Sequence, residues 1–313
     1  MPDSSSRFEL TLDDERFPDG VRELEDAPER LYAWGNLDVL NAPALAVIGA
    51  RSATPYGIAV AEIAGRVAAQ SSVAVVSGGA RGCDAAAGTA ALDAGGVHIA
   101  ELGCGADVVY PRSSATLLAR TIEAGGLILS LDPWGSPPRK WAFPRRNRVI
   151  AALSSAVMIT EAGLPSGTFS TAETAMDLGR ELLAVPGSIL SPQSRGSNHL
   201  IGLGATCIAD EEELEMAISR IYGTLRFSRP QVDGVPDLDD RAERVVEALI
   251  ASPMRADELA RMLEMDARAC LTFLSDLMVR GLIERLLDGR FAPTKIALLA
   301  RTPFGHNAGG KLR

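Results

Sequence analysis

The chain has 313 residues, 47% of them hydrophobic and 23% charged, with a formal net charge of −9. That balance is globular and excludes wholesale disorder, and no apolar run reaches the length needed to cross a bilayer. Four scattered cysteines with no Cys-x-x-Cys pair, and only three histidines (His98, His199, His306), exclude a disulfide framework and leave little for a structural zinc or a Ser-His-Asp hydrolase.

The N-terminus is Ser-rich and then acidic, without an apolar core, which argues against a signal peptide. A soluble, cytoplasmic protein with a poorly ordered segment at 1–16 is expected. From residue 44 onward, short β-like runs alternate with helical stretches. Strands are predicted at Ala44–Ile48, Val73–Ser77, Val97–Leu102, Leu127–Ser130, Ala156–Thr160, Leu182–Val185 and Thr206–Ile208. Most are too apolar to keep one face in water, as parallel strands covered on both sides must be. Helices are predicted at Tyr56–Gln70, Asp84–Ala94, Ser113–Ala124, Pro144–Leu153, Thr171–Leu178, near His199–Leu203, and at Glu211–Tyr222. Such alternation predicts an α/β fold, a Rossmann-like doubly wound and mostly parallel sheet over residues 17–228.

Two prolines and polar residues across 229–240 read as a linker. Helices predicted at Arg241–Ala251, Ala256–Leu263 and Ala267–Arg280, then Leu282–Leu286, an Asp288-Gly289 turn and Arg290–Ala292, describe a small C-terminal winged-helix domain within 241–300. Its third helix carries Asp266, Arg268, Asp276 and Arg280, with no basic stripe for a duplex groove, so a protein-contact role is favoured over duplex recognition, with a simple packing appendage as the alternative. Residues 301–313 read as a flexible tail.

Charge is uneven along the chain. The first 45 residues are strongly acidic, whereas 112–148 hold Arg112, Arg120, Arg139, Lys140, Arg145, Arg146 and Arg148 against only Glu123 and Asp132. In an open parallel sheet, ligands bind beyond the carboxyl ends of the strands, so the loops there are the candidates. After the first predicted strand comes Gly49-Ala50-Arg51-Ser52, where Gly49 permits a sharp turn and Arg51 suits a phosphate or a base edge. After the second comes Ser77-Gly78-Gly79-Ala80-Arg81-Gly82, a possible nest of backbone donors with Asp84 as helix cap; close packing alone would also explain its glycines. Arg112 adds a base near the same edge. In Phe143-Pro144-Arg145-Arg146-Asn147-Arg148 the arginines fall in the first turns of a helix, where the dipole is already positive, so an anion is expected to share them. Trp134, Trp141 and Phe143 flank them and could stack on bases or serve as buried anchors. Ser166, Gly167 and Thr168 again place donors before a helix.

Taken together, the strings Gly49-Ala50-Arg51 with Tyr56-Gly57, Ser77–Asp84, Tyr110-Pro111-Arg112, Phe143–Ile150, Ser166-Gly167-Thr168, Ala184–Gly187 and Gly196-Ser197-Asn198 resemble the DNA-processing protein A (DprA/Smf) family. The resemblance runs from about Phe17 to Asp210. It implies single-stranded-DNA binding in a positively charged pocket, homodimerisation, and protection of incoming DNA with loading of RecA recombinase during natural transformation. It implies contacts from Arg51, the Gly-rich loops, Arg112 and the Arg145–Arg148 cluster, and neither a cofactor, a metal nor a catalytic residue. The chain departs from the family at Cys83–Gly88, where a histidine is usual, and at Ser130–Pro133.

The strongest rival is a nucleotide phosphoribohydrolase of similar architecture, which would carry Pro-Gly-Gly-x-Gly-Thr-x-x-Glu. Here Pro165–Thr171 lacks the paired glycines and has Thr171 where the glutamate belongs, leaving Glu161 as a lone candidate acid. A nicotinamide-dependent oxidoreductase would need Gly-x-Gly-x-x-Gly, which is missing. A purely structural binding module would leave the arginines incidental.

Overall fold

The computed structural model describes residues 6–224, 238–294 and 297–298. In chain order the first group of elements is β1 (Arg7–Thr11), α1 (Asp19–Arg22), β2 (Arg30–Gly35), β3 (Ala44–Ile48), α2 (Pro55–Gln70), β4 (Ala74–Ser77), α3 (Cys83–Asp93), β5 (His98–Leu102) and α4 (Ala115–Glu123). It continues with β6 (Leu127–Ser130), α5 (Ala142–Ala152), β7 (Ala156–Ile159), α6 (Thr168–Asp177), β8 (Glu181–Ala184), α7 (Arg195–Gly202), β9 (Thr206–Cys207) and α8 (Glu211–Tyr222). The second group is α9 (Asp240–Ala251), α10 (Ala256–Met262), α11 (Ala267–Val279), β10 (Ile283–Arg285) and β11 (Phe291–Pro293).

The first group forms one sheet in the order β1-β2-β6-β5-β4-β3-β7-β8-β9. Strands β3 to β9 pair in parallel, while β2 joins β6 and β1 joins β2 antiparallel. Every residue of β3, β4, β5, β6 and β7 is buried; β3 and β7 are wholly apolar, β4 and β6 end on a serine, and β5 carries His98 and Glu101 into the interior. Helices α1, α5, α6 and α7 cover one face and α2, α3 and α8 the other. Alanine and glycine let α2 and α3 approach closely: a Cβ on Gly65 would land on the carbonyl oxygen of Ala87. The chain winds outward from β3 to β6, then returns to the other side of β3 as β7, so a topological switch point lies between β3 and β7.

Two expectations are corrected here. The poorly ordered segment expected at 1–16 contains β1, an edge strand whose Leu10 is fully buried opposite Leu31 of β2. Its signal is the short alternation Phe8-Glu9-Leu10, diluted by acidic neighbours, and its partner lies about twenty residues further on. The second is Asp84, expected as a helix cap. Helix α3 starts one residue earlier with Gly82 at the cap position, and Asp84 turns inward.

His98 shows how burial sets chemistry here. Its Nδ1 lies 2.7 Å from Thr121 Oγ1, which itself donates to the Leu117 carbonyl, and its Nε2 lies 3.0 Å from Ser77 Oγ. The network makes Nδ1 the donor and Nε2 the acceptor. Gly88 leaves room for the ring, since a Cβ there would meet Nε2 at 2.8 Å. Burial pushes the imidazole down to about 4. Below the ordinary histidine range the unfolded chain therefore takes a proton that the folded chain refuses, and stability falls as pH drops from about 6.5 towards 4. Urea unfolding should show the wild-type advantage over His98→Gln shrinking by roughly 2–3 kcal/mol between pH 7 and pH 4.5. A gap that stays constant would mean that the folded state accepts the proton.

The second group packs α9, α10 and α11 with the β10–β11 hairpin around Val245, Val246, Leu249, Leu259, Leu274, Leu277 and Phe291. Gly289 takes φ +84° in the turn, as the Asp-Gly pair predicts. Asp239, assigned to the linker at 229–240, instead caps α9 by accepting from the Ala242 amide at 2.7 Å. The rest of that linker up to residue 237, and the tail at 301–313, lie outside the described residues. The outward side of α11 exposes Leu271, Met278 and Val279.

Candidate nucleic-acid interface

A cavity of about 710 Å³ opens at the switch point, between the loops that follow β3 and β7 and the first turns of α5 and α6. Gly49, Ala50 and Arg51 form one wall, Ser166, Gly167, Thr168, Ser170 and Thr171 another, and Phe143, Arg146, Asn147, Tyr110 and Lys140 the third. A second cavity of about 300 Å³ adjoins it, sharing Arg51, Ala80, Tyr110, Phe143 and Arg146 and adding Gly78 and Arg81. Ten of the predicted site residues therefore converge here: Gly49, Arg51, Gly78, Arg81, Phe143, Arg146, Asn147, Ser166, Gly167 and Thr168. Ser52 and Arg112 are exposed on neighbouring loops.

The Gly-rich loops serve packing more than ligand approach. A Cβ on Gly78 would fall on the Arg146 guanidinium, and one on Gly103 would meet the Phe143 ring at 2.7 Å. Gly79, at φ +60°, is buried and its carbonyl accepts from Ser114 Oγ at 2.6 Å. Ser77 lies inside the sheet, bound to His98. Ser77 and Gly79 thus shape the loop without reaching the cavity.

The arginine cluster of α5 is dispersed, because successive residues on a helix point about 100° apart. Arg145 stays exposed with its guanidinium 5.5 Å from the Trp141 ring centroid. Arg146 turns inward, 4% exposed, with Nη1 4.0 Å from Asp84 Oδ2. Asn147 donates to the Gly167 carbonyl and to Ser170 Oγ, both at 3.1 Å, tying α5 to α6. Arg148 pairs with Asp26 on the far side. Arg148 is thus engaged by an acid, not held free for a ligand. Trp134 is a packing residue, edge-on to Tyr32 and bonded to Glu9, while Trp141 is half exposed.

Asp84 organises the floor. Its Oδ2 accepts from the Gly78 amide at 3.0 Å, and the Gly49 and Ala80 amides also stabilise its charged form, so one carboxylate holds the loops after β3 and β4 together. Burial lifts its pKa against the pull of Arg146 and these amides. Glu101 lies near the same guanidinium, fully buried, with neither carboxylate oxygen hydrogen-bonded. Burial raises its pKa well above the usual carboxylate range, against the opposing pull of the Arg146 guanidinium. The Glu101 carboxyl thus adds stability that is complete below its unfolded pKa and is lost as pH rises through the folded one.

The cations sort into two populations. Among the described residues of the first group, Arg7, Arg16, Arg22, Arg30, Arg66, Arg120, Arg146, Arg148, Arg180 and Arg220 each have a carboxylate partner. Arg51, Arg81, Arg112, Arg139, Lys140, Arg145 and Arg195 have no such ion pair, and each follows a parallel strand at its carboxyl end. Arg51 lies with its guanidinium 4.8 Å from the Phe143 ring centroid, and Phe143 in turn lies 6.0 Å from Tyr110. Thr171 Oγ1, buried on the cavity wall, has no hydrogen-bond partner. The residues lining the site beyond the predicted set include Tyr110, Lys140, Asp84, Ser170 and Thr171. Lys140 was visible in the local charge.

The candidate acid Glu161 is engaged elsewhere. Its oxygens accept from the Thr54 amide at 2.8 Å and from Thr54 Oγ1 at 2.6 Å, bracing the start of α2. Gly57 is needed there, since a Cβ would sit 2.6 Å from Glu161 Oε2.

A family model described as DNA recombination-mediator protein A matches residues 9–219, and one described as DprA winged helix domain matches 229–289. The chain is 40% identical over 205 residues to Protein Smf of Escherichia coli, covering 66% of this chain and 55% of that protein. It is 38% identical over 269 residues to the putative DNA processing protein DprA of Mycobacterium tuberculosis, covering 85% and 68%. The chain thus spans only about half the length of the Escherichia coli relative. Among solved structures, DNA processing protein A from Streptococcus pneumoniae superposes with a TM-score of 0.62 at 38% identity, over 66% of this chain and 72% of that one. That of Helicobacter pylori, described for its single-stranded DNA binding mode, gives 0.61 at 31% identity, over 68% and 97%.

Proposed function

The chain belongs to the DNA recombination-mediator protein A family, and from that premise we propose that it binds single-stranded DNA along the carboxyl edge of its sheet. The observation that supports this most directly is the sorting of its cations. In a protein of net charge −9, three of the seven named above that lack an acidic partner among the described residues, Arg51, Lys140 and Arg81, line the two adjoining cavities, and the other four lie on segments that follow the carboxyl ends of the same parallel strands. Unpaired cations around a concave site focus potential on a polyanion and release counterions when it binds. Net acidity elsewhere confines binding to this edge. A cavity of about 710 Å³ with an aromatic ring beside Arg51 suits an unstacked nucleotide better than a duplex.

In this reading Arg51, Lys140 and Arg81 meet phosphates, Phe143 and Tyr110 offer ring faces to bases, and Gly49, Asn147, Ser166, Gly167 and Thr168 complete the wall. Ser52, Arg112 and Arg145 extend the basic edge. The finer role is mediation without catalysis: a cytoplasmic homodimer that protects incoming single strands and passes them to RecA recombinase during natural transformation. The family membership and the Helicobacter pylori neighbour support the DNA-binding step.

Fluorescence anisotropy with labelled single- and double-stranded oligonucleotides across a salt series tests it. Single strands should bind in preference, with log K falling against log salt at a slope of about −2 for three phosphate contacts. Equal affinity for duplex, or a slope near zero, would overturn the reading. Release of adenine from AMP in the same preparation would instead favour the hydrolase.

A further inference from the structure

The strongest unexplained feature of the site is a cation placed where it cannot be used directly. Arg146 comes from the basic helix α5, yet it is 4% exposed and the Gly78 backbone covers its guanidinium. Its charge already faces Asp84 at 4.0 Å, with Glu101 near by and Nε left without a hydrogen bond. Withdrawing a guanidinium from water is costly, and a buried pair of this kind adds little net stability compared with an apolar replacement. Its contacts indicate what it does instead. Its guanidinium carbon lies 5.9 Å from the Phe143 ring centroid, and that of Arg51 lies 4.8 Å from the same ring. The two guanidiniums also repel one another, and Asp84, which anchors Arg146, is tied to the backbone of the loop that carries Arg51 through the Gly49 amide.

We propose that Arg146 is a positioning residue: held at Asp84 and covered by Gly78, it sets the Phe143 ring and, through that ring, the Arg51 guanidinium, without itself touching the DNA strand. The proposal rests on the single-stranded-DNA reading of the cavity. It separates two arginines that adjoin the same cavity into one that binds and one that orients. A planar guanidinium suits the orienting task because it lies flat against a ring while keeping donors for the carboxylate.

A double-mutant cycle tests this. Affinity for a labelled oligothymidine is measured by anisotropy for wild type, Arg51→Ala, Arg146→Met and the double variant, with thermal melting of each. Arg146→Met should weaken binding about tenfold in the wild-type background and by less than about twofold on top of Arg51→Ala, because an orienting residue has nothing left to orient. The double variant should keep the salt slope of Arg51→Ala. A further loss in the double variant, with a slope shallower by about 0.7, would show a direct phosphate contact and overturn the proposal. Lowered melting with unchanged affinity would reduce Arg146 to a structural role and overturn it too. Arg146→Lys keeps the buried cation opposite Asp84 and covers the case in which the methionine variant does not fold; it should lose affinity in the same direction, and wild-type affinity there would count against the proposal. If Arg51→Ala itself binds like wild type, the site assignment fails, a result distinct from both other failures.

Discussion

Arg51→Ala is expected to weaken single-stranded-DNA binding by roughly 10- to 100-fold at fixed salt, the loss of a charge-assisted hydrogen bond of about 1.5–3 kcal/mol. The side chain is exposed, has no carboxylate partner among the described residues, and lies against Phe143 at the junction of the two cavities. Its removal leaves no buried acid unpaired, so the melting temperature should hardly move. The salt slope should become shallower by about 0.7, the share of one phosphate on a single strand. Anisotropy titrations at several salt concentrations, with melting curves as control, give both numbers. Unchanged affinity would remove Arg51 from the site and leave the unpaired cations unexplained.

The second large effect falls on folding. Asp84→Ala should destabilise the protein by about 3–5 kcal/mol, the usual cost of removing one partner of a buried pair. Two losses combine: Arg146 is left in the interior without its nearest carboxylate, and the Gly78 amide loses its acceptor. Glu101 tempers the loss, because near Arg146 it can give up its proton and take over as counter-ion. Asp84→Ala combined with Glu101→Gln should therefore cost more than the two single changes added together. Urea denaturation of the four proteins measures this, and simple additivity would show that Glu101 does not answer to the Arg146 charge.

The sheet was largely legible beforehand. Ala44–Ile48 and Leu127–Ser130 were predicted with the bounds they have, because strands buried on both faces leave continuous apolar runs. β1 and β2 escaped notice because both keep a partly exposed side and pair with strands remote in sequence, β1 lying at the sheet edge and β2 between it and β6. The cavity's location was legible too, since the carboxyl ends of parallel strands are where ligands bind regardless of the detailed loop sequence. The roles of its residues were less so. Gly78 belongs to a loop that reads as a possible nest of backbone donors, yet it is a recess that receives Arg146, as Gly103 receives Phe143.

The alternation of elements, the basic segment in an acidic chain, the loops that would meet at the sheet edge and the family resemblance can all be read from the chain alone, because each of these is local or additive along it. Which cations are available emerges only once the chain is folded. Arg145, Arg146 and Arg148 are near neighbours in sequence, but the helix turns them towards solvent, Asp84 and Asp26 respectively. Whether a charge is free depends on which acid the fold brings opposite it, and both of those acids come from distant segments.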